Sequence, residues 1–152
     1  MIKAKFKFSH SLKLTEIGTH ADRATAEHVS QVSGDVMEKV VEGTPVKTGR
    51  AAMGWSAGVE VTGRQMPPIE SNELDSTAMA EGRNLSSARL DGMRFEAENR
   101  VPYIGAIEHG SSVQPPSAAM LKGMAEFRDN IKKHGLLVRI IRMTQTGRMI
   151  FR

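Results

Sequence analysis

Cysteine is absent from this chain, which excludes a disulfide framework and a thiolate metal site. No apolar run approaches the ~20 residues that a membrane-spanning helix needs. Met1-Ile2-Lys3 is not followed by the apolar core of a secretion signal, so assembly in the cytosol is expected. Aromatic side chains are few, with a single tryptophan, Trp55, and a single tyrosine, Tyr103. A lone tryptophan is more often core or subunit contact than a base-stacking platform. What remains, 39% hydrophobic and 25% charged residues, is ordinary for a soluble globular protein. A chain of 152 residues suits one domain with a radius of gyration of ~15 Å. The net charge of +4 permits contact with nucleic acid but is too small to say anything about sequence reading.

The residues that carry chemistry are also missing their companions. His10, His20, His28, His109 and His134 form no pair at metal-ligand spacing and have no cysteine beside them. Glu108 and His109 are adjacent, and adjacent side chains seldom face one another on a helix or strand. Lys47-Thr48 resembles the end of a phosphate-binding loop, but Val46 and Val41 stand where that loop needs glycine. Glu70, Glu73 and Asp75 lie on a polar stretch with no partner histidine, a poor start for a metal-dependent nuclease. No catalytic residue, metal ligand or cofactor site is expected, and the chain is read as a non-enzyme.

Periodicity divides the chain into elements. Ile2, Ala4, Phe6 and Phe8 alternate with Lys3, Lys5 and Lys7, a strand with a lysine-lined face. From Thr15 to Glu42 the apolar positions Ile17, Ala21, Ala24, His28, Val32, Val36 and Val40 share one helical face, widened by Val29, Met37 and Val41. At 1.5 Å per residue this helix is ~40 Å long, as long as a globule of this size is wide. Gly43 and Pro45 stop it. Thr44 to Arg50 reads as a tight connection and Ala51 to Val61 as a strand centred on Trp55. A polar loop follows from Gly63, then a short helix from about Ser71 to Gly82, with Arg83 to Ser87 as connection. Met93, Phe95 and Ala97 alternate with Arg94, Glu96 and Glu98, a half-buried strand that ends at Asn99-Arg100-Val101-Pro102. Tyr103, Ile104, Ala106 and Ile107 form an apolar turn closed by Glu108-His109-Gly110. Gln114-Pro115-Pro116-Ser117 then leads into a helix with Met120, Leu121, Met124 and Phe127 at helical spacing.

Two of these pieces have a familiar order and spacing. Thr44-Pro45-Val46-Lys47-Thr48-Gly49-Arg50 precedes Gly54-Trp55-Ser56. Further on, a strand leads to Asn-x-x-Pro-Tyr, an apolar turn, Glu-x-Gly, a proline-containing loop and a Met/Leu helix ending in Glu-Phe. Across roughly residues 12 to 133 the chain resembles the neck or tail-completion proteins of tailed bacteriophages, also called head-tail joining or minor tail proteins. It departs from the pattern at Lys47, where an acidic residue is common, and after about residue 134, which has no counterpart.

The expected fold is α+β: a mostly antiparallel central sheet, one long N-terminal helix and a second helix packed on it, plus a C-terminal strand or arm. Residues 1–133 form the neck-like domain, and residues 134–152 a basic strand or arm of the same domain. The resemblance implies a virion structural protein, assembled in the host bacterial cytoplasm, that forms a cyclic homo-oligomer at the head-tail junction. Its expected neighbours are connector or adaptor and tail proteins and non-specifically held double-stranded DNA, with no membrane involved. A tail terminator capping the tail tube is the alternative within the class, and a small basic DNA-binding or nuclease-like protein the alternative outside it. Candidate subunit contacts are Ala21, Ala24, Leu137, Ile140 and Ile141. Candidate charge facing a DNA channel or a connector is carried by Lys3, Lys5, Lys7, Arg139, Arg142 and Arg148.

Overall fold

The computed structural model describes residues 14–91, 94–134, 140–143 and 148–151. The chain is α+β. Helix α1 (Leu14–Gly43) is followed by two short helices, α2 (Arg50–Met53) and α3 (Ser56–Glu60), and then by α4 (Ser76–Asn84). Strands β1 (Ser86–Asp91) and β2 (Arg94–Asn99) form a hairpin. Helices α5 (Ile104–His109) and α6 (Ala119–His134) come next, and strands β3 (Ile140–Met143) and β4 (Arg148–Phe151) end the fold. The sheet order is β1-β2-β4-β3, with every pair antiparallel.

The long helix forms where its periodicity places it. Val29, Val32, Val36, Met37, Val40 and Val41 are all buried, one apolar stripe turned towards the core. Thr44 closes the helix by donating its hydroxyl to the Val40 carbonyl at 2.7 Å. Helix α6 meets this stripe with Met120, Met124 and Phe127. The two backbones approach closely at Gly123, where a Cβ would lie 2.6 Å from Val40 Cγ2. Leu121 does not belong to the buried face as its spacing suggests; it is 59% exposed.

Strand β2 alternates as expected: Phe95, Ala97 and Asn99 are buried, while Arg94, Glu96 and Glu98 are half-buried on the other side. Its partner β1 is the strand that the sequence pattern hides, because residues 83–87 read as a connection. The register pairs Leu90 with Phe95 and Ala88 with Ala97, so the apolar positions of both strands fall on the core side.

Residues 51–61 correct the expectation of a strand. They form α2 and α3, joined at Gly54-Trp55. Ala51, Ala52, Met53, Trp55, Ser56 and Val59 are all buried, so no wet face exists to reveal the period. Trp55 belongs to the core. The next helix starts at Ser76 rather than near Ser71, because Asp75 caps it by accepting from the N–H of Thr77 at 2.8 Å and of Ala78 at 3.3 Å. It runs through Gly82 to Asn84.

Candidate functional site

The two stretches that carry the resemblance lie far apart in sequence and wall the same cavity, of about 380 Å³. Pro45, Val46, Lys47, Thr48, Gly49, Arg50 and Ala51 form one side; Tyr103, Ile107 and Gln114 form the other. Gly49 turns the chain with φ 86°, a left-handed backbone that starts α2.

Asn99 joins the two walls. It is fully buried, donates Nδ2 to the Ala51 carbonyl at 2.9 Å, and accepts the Val101 N–H on Oδ1 at 3.0 Å. Both ends of the amide are therefore used, as a buried polar group requires. Glu108 acts likewise on the next connection. It is buried in the last turn of α5, and its carboxylate accepts the Met120 N–H at the start of α6. His109 is exposed beside it.

Around the cavity, Lys47 Nζ lies 3.7 Å from Glu73 and Arg50 Nη1 lies 3.3 Å from Glu81. The loop from Val61 to Asp75 is fastened elsewhere, by Arg64 reaching Asp35, Glu38 at 2.9 Å and the Gln31 carbonyl at 3.2 Å on α1. Lys39, held above the usual lysine range first by its hydrogen bond to Glu42 and then by that carboxylate's charge, does not line the cavity. Among the described residues no three His, Asp or Glu side chains gather as metal ligands, and no helix is long and apolar enough to cross a membrane.

The residues singled out for subunit and charge contacts are distributed differently. Ala21 and Ala24 lie on α1. Ile140, Ile141 and Arg142 lie on β3, an outer strand of the sheet, and Arg148 on β4. Pairing steps from Ile140 to Arg142, so the register shifts at Ile141. Arg148 stands opposite Glu98 and Arg142 opposite Ile150. Lys3, Lys5, Lys7, Leu137 and Arg139 lie outside the described residues.

Sequence reasoning missed Asn99 and Glu108 as positioning residues. Both sat inside the motif, and only their burial distinguishes a polar group that holds backbone from one that faces water. No protein-family model, curated protein or solved structure matches this chain.

Proposed function

We propose that this chain is a structural virion protein of a tailed bacteriophage, whose copies close into a ring at the head-tail junction through which packaged DNA passes. The observation that carries the reading is the convergence of the two motif stretches. Residues 45–51 on one side and Tyr103, Ile107 and Gln114 on the other wall one cavity, and Asn99 ties the two stretches together through the Ala51 carbonyl. Their polar residues hold main chain: Asn99 bonds Ala51 and Val101, and Glu108 bonds Met120. Such a pattern fixes the shape of a surface, which is what an assembly subunit needs.

Two further features support the reading. Helix α1, at 30 residues, is about 45 Å long, longer than the roughly 30–40 Å width of a globule of this size. Strand β3 lies at an end of the sheet, where a strand of another copy can be added. A heterologous contact of this kind closes into a ring when its rotation is commensurate. Positive charge facing the channel then steadies phosphate without reading bases.

Averaged electron micrographs of the purified protein, with its mass in solution measured on the same sample, test the proposal. Closed rings are the expected result. A monodisperse monomer at micromolar concentration overturns it.

A further inference from the structure

We infer that the cavity between the Thr44–Arg50 loop and α5 is a docking site for an acidic, apolar segment of a neighbouring virion protein, an inference whose choice of partner rests on the function proposed above. The segment's carboxylate is received at the loop and at Arg50, and its apolar side chains by Tyr103, Ile107 and Val113.

The loop is asymmetric in its hydrogen bonding. The carbonyl of Lys47 accepts from Ser71 Oγ at 2.8 Å, that of Thr48 from the Asp75 N–H at 3.1 Å, and that of Gly49 from the Met53 N–H at 2.9 Å. The Ala51 carbonyl takes Asn99 Nδ2. The N–H groups of Val46, Lys47, Thr48 and Gly49 donate to no acceptor among the described residues. A main-chain stretch with three of its acceptors engaged and its donors free favours an anion.

The side chains add to this bias. Lys47 and Arg50 line the cavity and no carboxylate does. Neither cation is tightly held. The Lys47–Glu73 pair spans 3.7 Å between side chains that are 79% and 64% exposed, and such pairs contribute little. Arg50 meets Glu81 through Nη1 alone; its Nε, also without a hydrogen-bond partner, is buried and does not face an incoming group. A guanidinium has five donors, so an incoming carboxylate adds to the Glu81 contact without displacing it.

The apolar surface outruns the cavity, which argues for a polypeptide over a small free anion. Tyr103, which lines the cavity, is 41% exposed, and Val113, one residue before the lining Gln114, is 92% exposed. Val113 sits on a turn already fixed: the Ser111 N–H donates to the Gln114 carbonyl at 2.8 Å, and Ser111 Oγ accepts the N–H groups of Val113 and Gln114. A turn set in advance loses little freedom on docking. A free carboxylate in the cavity leaves the exposed part of Tyr103 in water, whereas a chain crossing the site covers it.

Tyr103 is the only tyrosine of the chain, so 3-fluorotyrosine gives one fluorine NMR signal, at the cavity. The full chain is titrated with the acetylated amide Leu-Glu-Leu-Glu-Leu, with its twin carrying Gln for Glu, and with butanoate. The acidic peptide is expected to shift the signal saturably, with the Gln twin and the Arg50→Gln protein each weaker by about tenfold or more. Thermal melting of the variant controls for its fold. No saturable shift up to millimolar peptide, equal binding of the twin, or butanoate binding as tightly as the peptide overturns the inference. Ring formation is scored separately by micrographs, so failure at the cavity and failure of the ring are read apart.

Discussion

The carboxylate of Glu108 accepts a hydrogen bond from the main-chain N–H of Met120 at 2.9 Å, although 12 residues separate them. The Glu108 carbonyl also accepts the Ala118 N–H at 3.3 Å. One residue of α5 thus satisfies the start of α6, where free N–H groups and the helix dipole favour an anion. Ala118 is held at φ 51° between them, a left-handed backbone unusual for a residue with a side chain.

Replacing this cap measures its worth. Glu108→Ala leaves the Met120 N–H unpaired in a buried place and is expected to cost about 1–3 kcal/mol. Glu108→Gln keeps an acceptor and is expected to lose less than half of that. Midpoints of urea denaturation rank the two, and equal losses would show that the charge rather than the acceptor is what matters.

Asn99 is the second test. Its amide bonds the Ala51 carbonyl and the Val101 N–H in the core. Asn99→Ala orphans both groups and opens a void, an expected loss of about 2–4 kcal/mol. Asn99→Asp keeps the acceptor for Val101 but places a carboxylate against the Ala51 carbonyl, so it is expected to be no more stable than the alanine variant. Calorimetric melting of both checks the order.

Two glycines separate backbone strain from crowding. Gly49 and Gly63 both have positive φ, 86° and 77°, but a Cβ at Gly49 would lie 2.7 Å from Met79 Cγ, whereas one at Gly63 meets nothing within 4 Å. Gly63→Ala is expected to cost about 1 kcal/mol from the backbone alone. Gly49→Ala is expected to cost more, by the movement of Met79. Equal midpoints in denaturant would refute the crowding.

Arg64 fastens its loop to α1 by three contacts, with Asp35, Glu38 and the Gln31 carbonyl. The side chain is 30% exposed, and Arg64→Met is expected to lower global stability by only about 1 kcal/mol. Its local effect is larger. Amide hydrogen exchange in residues 61–75 should rise severalfold while α1 stays protected, and unchanged exchange there would remove the fastening role.

How much of this was legible depended on whether a segment has one wet face. Helix α1 and strand β2 do, and their apolar positions, Val29 to Val41 and Phe95 with Ala97, could be placed from spacing alone, along with the α+β class. Residues 51–60 are buried on nearly every side, so their spacing carried no period and two short helices read as a strand. Leu121 had the right spacing and the wrong neighbours: a helix turns its face to what is packed against it, and nothing in the local sequence records that.

By itself, the sequence determined the absence of thiol chemistry, the length and apolar stripe of α1, the alternation of β2 and the tight connection from Thr44 to Arg50, because each follows from the residue or from its near neighbours. Only the tertiary structure decided that Asn99 and Glu108 bind main chain, that β3 ends the sheet, and that the Thr44–Arg50 loop faces Tyr103 across a cavity. Those are contacts between residues distant in sequence, and their energies come from burial, which no local pattern contains.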